Sequence, residues 1–107
     1  MKVIAVCGSL KFKDEIMRIT EALTLQGNCL LSIIYPTKAN FDDYSEAERA
    51  QFAKMHRERI RIADAILVVD VNHYLGKQTQ NEIEFAKRLN KEIIYYTDWD
   101  NAFVQRP

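Results

Sequence analysis

The stretch that decides the fold of this chain is Ala63-Asp64-Ala65-Ile66-Leu67-Val68-Val69-Asp70. Its apolar centre, rich in β-branched side chains, is typical of a strand that is buried on both faces of a parallel sheet. A polar loop and a helical segment follow, and Glu82 lies near the start of that helix. Because open α/β folds bind ligands at the carboxyl ends of their strands, this order places a carboxylate where a ligand is expected.

The same alternation of strand and helix signals extends over most of the chain. Apolar runs predict strands at residues 3–7, 29–34, 65–69 and 92–96, and helical spacing of apolar residues predicts helices at 13–26, 45–63 and 79–89. Gly27 is a stop signal for the first helix, and Ser45 with Glu48 fits a capping box at the start of the second. We therefore predict an α/β fold: a doubly wound, Rossmann-like or flavodoxin-like open parallel sheet of four or five strands, in the order 2-1-3-4, with helices on both faces.

Length and composition limit the functional classes. A chain of 107 residues predicts a single domain over 1–107, with a core at about 2–97 and a tail at 98–107. Fifteen basic residues balance fifteen acidic ones, which disfavours nucleic acid as a partner. No apolar run approaches the ~20 residues that span a bilayer, so no membrane partner is expected. Cys7 and Cys29 fall in strand patterns without metal-ligand spacing, which predicts reduced core thiols in a cytoplasmic protein, no metal site and no cofactor.

The predicted strand order brings two segments together at one crevice. The winding of the sheet reverses between strands one and three, so the loops after Cys7 and after Val69 would line that crevice. Gly8 there lets a ligand approach the backbone closely, and Ser9 can hold a phosphate or a sugar hydroxyl. The alternative for Ser9 is the cap of a tight turn. Asp70 either faces the ligand or caps a turn of its own.

Glu82 and His56 are the candidates for chemistry. Glu82 can be a nucleophile, but it also follows Thr79 at capping-box spacing, and its side chain can fold back onto the Thr79 amide. His56 shares an apolar stripe with Phe52 and Ile60, which is typical of an interior histidine as well as of a catalyst.

Other polar and aromatic residues have structural interpretations beside functional ones. Asp64 is interpreted as a helix-to-strand junction at the opposite end of the sheet. Arg57, Arg59 and Arg61 alternate with Glu58 and predict a solvated helix surface or a subunit contact. Tyr74, a loop aromatic, can stack on a base.

Several short motifs resemble one enzyme family. Cys7-Gly8-Ser9 after the first strand, Ala63-Asp64 before the third and Glu82 followed by Phe85-Ala86 resemble the nucleoside 2-deoxyribosyltransferase family. The Cys-Gly-Ser opening is especially similar to its branch of deoxynucleoside 5'-monophosphate N-glycosidases. The resemblance covers roughly residues 3–97.

The resemblance implies a reaction and a set of site residues. A family glutamate, matched here by Glu82, attacks C1' of a 2-deoxyribosyl group and displaces the base; water or a second base then resolves the covalent intermediate. The partner is then a small-molecule nucleoside or nucleotide, and the family forms homodimers or larger homo-oligomers in which a neighbour completes the site. The expected substrate-binding residues are Gly8, Ser9, Asp70, Tyr74, Gly76 and Thr79.

The chain also departs from the family pattern. The transferases have aspartates at the positions of His56 and Gly76, and a glycine at the position of Gln78. A proton donor is therefore not identified by matching, and His56 is the candidate. Retention of Glu82 beside a histidine favours an N-glycosidase or 2-deoxyribosyltransferase acting on a 2'-deoxynucleoside or its 5'-monophosphate. Loss of both aspartates favours a non-catalytic nucleotide-binding or sensing module, and a structural oligomer with an empty crevice is a third alternative.

Overall fold

The computed structural model describes residues 1–99. Its strands are β1 (Val3–Gly8), β2 (Cys29–Leu31), β3 (Ala65–Val69) and β4 (Glu92–Tyr95), and its long helices are α1 (Lys13–Leu25), α2 (Glu46–Ile62) and α3 (Lys77–Arg88). Short 3-10 turns lie at Leu10–Phe12, Phe41–Asp43 and Val71–His73. Residues 96–99 are helical, and most of the expected tail, residues 100–107, lies outside the described residues.

The four strands form one parallel sheet in the order β2-β1-β3-β4, which confirms the predicted topology. β1 and β3 are central and pair along five residues, from Ile4 with Ala65 to Gly8 with Val69. All five residues of β3 are buried, as expected for a strand covered on both faces.

Helices cover both faces of this sheet. On one face, Ile16, Ile19 and Leu23 of α1 pack against Val6 and Leu67. On the other, α2 and α3 pack against the opposite side of the same strands, through Ile60, Ala63, Ile83 and Ala86. Burial of these apolar stripes is the main stabilising contribution to the fold.

Local signals account for most of the element boundaries. Gly27 ends α1 in a left-handed conformation (φ 93°). The capping box of α2 is formed as predicted: the Glu48 amide donates to Ser45 Oγ (3.1 Å) and the Ser45 amide donates to Glu48 Oε1 (2.8 Å). Asp64 joins α2 to β3, and its Oδ2 accepts the Val3 amide (2.8 Å), which confirms the structural interpretation of this residue.

Two predicted features differ from the structure. β2 ends at Leu31 rather than at residue 34, and Cys29 is exposed because β2 is the edge strand of the sheet. α3 begins at Lys77, two residues before the predicted start, because Gly76 in extended conformation is its N-cap. No helix within residues 1–99 is long and apolar enough to cross a membrane.

Candidate functional site

A pocket of about 350 Å³ lies at the carboxyl end of β1, on the face of the sheet that α2 and α3 cover. Gly8 and Leu10 line it from the segment after β1, and Ile33, Ile34 and Pro36 from the segment after β2. One face of α2 and the start of α3 complete the walls. The volume is within the range of small-molecule sites, and its mostly apolar lining suits a planar ring with a few polar anchors.

Helix α2 presents a continuous face to this pocket. Arg49, Phe52, Ala53, His56 and Arg59 all line it, at the three- and four-residue spacing of one helix face. Neither arginine is predicted as a site residue from the sequence, although both share the stripe of Phe52 and His56, and that spacing is the signal that identifies them. The expectation that Arg59 belongs to a solvated surface is corrected accordingly.

Two other arginines of α2, Arg57 and Arg61, lie on the solvated surface, as predicted. Arg57 is exposed, and Arg61 is exposed and donates to Glu58 Oε2 through its Nε (2.9 Å) and Nη2 (2.7 Å). Arg49 is partly engaged, because its Nη1 donates to the Tyr44 carbonyl (2.7 Å). Within residues 1–99, no hydrogen bond or ion pair holds the guanidinium of Arg59, so it is available to a ligand.

The polar centre of the site joins three elements. His56 Nε2 on α2 lies 3.5 Å from Glu82 Oε1 on α3 and 3.6 Å from Cys7 Sγ on β1. Gln78 Nε2, one turn before Glu82, donates to Glu82 Oε2 (3.2 Å). Cys7, His56 and Glu82 are all buried. The structure thus brings the two predicted catalytic residues together and adds Cys7, whose strand pattern predicts a core thiol.

The helix-cap interpretation of Glu82 is wrong. Because α3 begins at Lys77, Thr79 and Glu82 both lie inside the helix, and Thr79 is not its N-cap. The Glu82 carboxylate instead points across to α2 and contacts His56. This buried carboxylate also affects Cys7: burial first, and then the charge of Glu82, raise the pKa of the Cys7 thiol well above its usual value of 9.0.

Gly8 allows the tight packing at the floor of the pocket. A Cβ atom at this position would lie 3.2 Å from Val69 Cβ and 3.3 Å from the Val69 carbonyl oxygen, closer than ordinary contact. Ser9 does not line the pocket; its Oγ accepts the Lys11 amide (3.3 Å) and caps the 3-10 turn, which is the alternative considered for it.

The expected substrate-binding residues after β3 do not line this pocket. The Asp70 carboxylate is buried, and it accepts the amide and the hydroxyl of Thr97, each at 3.0 Å. Tyr74 packs edge-on against Phe12 with ring centroids 5.7 Å apart, below the Lys11 ammonium at 3.4 Å.

Gly76 is the N-cap of α3, and Thr79 is buried within that helix. The pocket therefore lies beside β1 and α2. The segment after β3 does not reach it, because this segment packs against the end of β4 and against the 3-10 turn that follows β1. The expectation that the loop after Val69 lines the crevice is corrected in the same way.

Comparisons with known proteins support the architecture. No protein-family model matches the chain, and no curated protein matches its sequence. A solved structure of a 2-deoxyribosyltransferase from the psychrotolerant bacterium Bacillus psychrosaccharolyticus is similar, with a TM-score of 0.68 and 16% identity, over 87% of this chain and 70% of that chain. At this identity, the likeness shows a shared fold.

Proposed function

We propose that this protein cleaves the N-glycosidic bond of a 2'-deoxynucleoside or its 5'-monophosphate, with Glu82 as the nucleophile. The observation that carries the proposal is the placement of the Glu82 carboxylate, buried beside His56 in an apolar pocket of nucleoside size. The fold shared with a 2-deoxyribosyltransferase and the family-like motifs around Cys7 and Glu82 support it.

The chemistry follows from a carboxylate in a mostly apolar pocket. Glu82 Oε1 would form a bond to C1' of the sugar as the bond from C1' to the base breaks, and the base would leave with the electron pair. Water or a second base would then displace the sugar from Glu82. Because the Gln78 amide holds Oε2, we assign the attack to Oε1, the oxygen that faces His56.

The geometry supports a role for His56 on Glu82 rather than on the departing base. Its Nε2 lies 3.5 Å from the attacking oxygen, whereas an in-line displacement sends the base away from the opposite side of C1'. We therefore assign to His56 the positioning of the carboxylate. His56→Ala should lower kcat by a similar factor for ordinary and for activated leaving groups. If the loss is much larger for bases that need protonation, His56 is instead the proton donor considered in the sequence analysis.

Arg59 and Arg49 favour the monophosphate as substrate. Both arginines line the pocket, and arginine is well suited to phosphate oxygens. Arg59→Met should raise KM for the 5'-monophosphate about tenfold or more and leave KM for the nucleoside nearly unchanged. Arg57→Met, an exposed position on the same helix, is the matched control. Equal effects of Arg59→Met on both substrates would contradict the phosphate assignment.

The decisive experiment is the release of free base from a panel of 2'-deoxynucleosides and their 5'-monophosphates, followed by chromatography. Glu82→Gln should abolish release, whereas Glu84→Gln should not, because Glu84 is exposed and pairs with Lys87 (3.7 Å). Release that survives Glu82→Gln would overturn the mechanism.

A second candidate is a nucleotide-binding module without turnover. Glu82 is the one carboxylate among the described residues that line the pocket, whereas most glycosidases use two. Such a module would gain thermal stability from a 5'-monophosphate without releasing base. That pair of results would favour binding over catalysis.

A further inference from the structure

Three potential metal ligands converge at the inner wall of the pocket. Cys7, His56 and Glu82 are separated by many residues in sequence, yet one donor atom from each lies within 4.8 Å of the other two. All three side chains are buried, and His56 and Glu82 also line the pocket.

The spacing of the donor atoms is compatible with a shared metal ion as well as with hydrogen bonds among the three side chains. His56 Nε2 is 3.5 Å from Glu82 Oε1 and 3.6 Å from Cys7 Sγ, and the first distance is long for an N–H···O hydrogen bond. A tetrahedral zinc ion, with a Zn–S bond of about 2.3 Å and Zn–N and Zn–O bonds of about 2.0 Å, places neighbouring ligand atoms about 3.3 to 3.6 Å apart. The two distances from His56 therefore require only small adjustments.

The surroundings complete such a site. Gln78 Nε2 donates to Glu82 Oε2, the outer-sphere contact that fixes a carboxylate ligand and leaves Oε1 on the side of His56. Glu82 is a buried carboxylate whose described neighbours include no lysine or arginine within ion-pair distance, so a cation would offset its desolvation. We propose that Cys7, His56 and Glu82 bind one Zn²⁺ ion, with the fourth coordination position open to the pocket.

The donor set selects the class of metal. One thiolate, one imidazole and one carboxylate favour zinc over magnesium or calcium, which prefer oxygen ligands alone. Three protein ligands with an open position allow a water molecule or a substrate oxygen to bind the ion from the pocket. A zinc ion there would also occupy Glu82 Oε1, so zinc and the glycosylation of Glu82 exclude each other; this consequence rests on the proposed function, whereas the metal site does not.

Cobalt(II) is the probe for the site, because it replaces zinc and reports its ligands. Titration of the metal-free, reduced protein with Co²⁺ should give intense visible bands of a four-coordinate ion and a thiolate-to-cobalt charge-transfer band, saturating at one ion per chain. One equivalent of Zn²⁺ should remove both signals. A spectrum without the charge-transfer band, or with the weak bands of six-coordinate cobalt, would overturn the proposal.

The chain supplies matched controls for each ligand. Cys7→Ser, His56→Gln and Glu82→Gln should each lose the four-coordinate spectrum or weaken binding at least tenfold. Cys29→Ser, His73→Gln and Glu84→Gln change the same residue types at exposed positions and should leave the spectrum intact. Gln78→Ala should weaken binding by about 10- to 100-fold without removing the charge-transfer band. Loss of the band in Cys29→Ser but not in Cys7→Ser would overturn the assignment.

Measuring base release beside cobalt binding distinguishes failure of the metal site from failure of the proposed glycosidase reaction. If the protein releases base, stoichiometric Zn²⁺ should inhibit release and a chelator should restore it. If no base is released, the cobalt titration still tests the metal site on its own. If cobalt does not bind while base is released, the metal site fails and the role of Glu82 as nucleophile stands.

Discussion

Asp70 shows how a carboxylate at the carboxyl end of a strand can serve the fold instead of a ligand. It is 3% exposed, and both of its oxygens accept hydrogen bonds from Thr97, just after β4. These bonds tie the ends of β3 and β4 together beyond their last paired residues. The carboxylate is thereby directed away from the pocket beside β1.

Asp70→Ala should destabilise the protein by about 1–3 kcal/mol, because it removes the acceptors of the partly buried amide and hydroxyl of Thr97. The measurement is urea unfolding of Asp70→Ala, Thr97→Val and the double variant. We expect the double variant to lose less stability than the sum of the single losses, since the residues share one network. Strict additivity would show that the contact does not stabilise the fold.

The two cysteines differ in reactivity for reasons seen only in the structure. Cys7 is fully buried, and burial and Glu82 raise the pKa of its thiol, whereas Cys29 is exposed on the edge strand. Because the thiolate is the nucleophile in alkylation, Cys29 should react with iodoacetamide far faster than Cys7 at neutral pH. Mass spectrometry of the native protein should find one fast site, and denaturant should make both react. Fast labelling of Cys7 in the native protein would contradict its burial.

At the scale of the element, α2 begins with a stabilising capping box and lines the pocket with one of its faces. Its first turn is fixed by the capping box of Ser45 and Glu48, and the next turns present Arg49, Phe52 and His56 to the pocket. The cap therefore stabilises the helix that carries His56 and the two arginines of the pocket.

Ser45→Ala should destabilise the protein by about 1 kcal/mol, because it leaves a helix amide without its acceptor. The Ser45 amide and hydroxyl lower the pKa of Glu48 from its usual value of 4.5. A lowered pKa in the folded state means that the contribution of Glu48 is complete at neutral pH and is lost as the pH falls below about 4.5.

Thermal unfolding between pH 7 and pH 3 measures this linkage. Glu48→Gln should show a smaller loss of stability on acidification than the parent protein, because the glutamine does not titrate. Glu84→Gln, at an exposed position outside the cap, is the control. Identical pH profiles for Glu48→Gln and the parent would contradict the role of the ionised cap.

At the scale of the whole molecule, the mouth of the pocket carries exposed apolar side chains. Leu10, Ile34 and Phe41 line the pocket and are all exposed. Phe41 also extends an aromatic cluster with Tyr44 and Phe52. Because exposed apolar patches often mark interaction sites, this rim is the expected contact of the homo-oligomer that the family resemblance implies.

Leu10→Lys should therefore shift the protein toward the monomer in sedimentation velocity. Leu25→Lys is the matched control, because Leu25 is an exposed leucine on α1 that does not line this pocket. A parent protein that is monomeric at high concentration would contradict this expectation.

The sequence by itself determined the fold, because the signals involved are local. The buried run at Ala65–Val69, the stop at Gly27 and the capping box at Ser45 each report on a few neighbouring residues, and chain connectivity with right-handed crossovers then yields the order β2-β1-β3-β4. Helical spacing also placed His56 on the inward face of α2. Glu82 was identified as a candidate, but pattern alone did not separate a nucleophile from a cap.

Only the tertiary structure decided how the site is composed. It brought Cys7, His56 and Glu82 from three elements to within 4.8 Å, added Arg59, and directed Asp70 and Tyr74 elsewhere. Residues far apart in sequence leave no spacing to detect, and the side on which a loop packs depends on contacts such as that between Asp70 and Thr97. The elements follow from local sequence, whereas the chemistry of the pocket follows from which helix faces and strand ends the fold sets against each other.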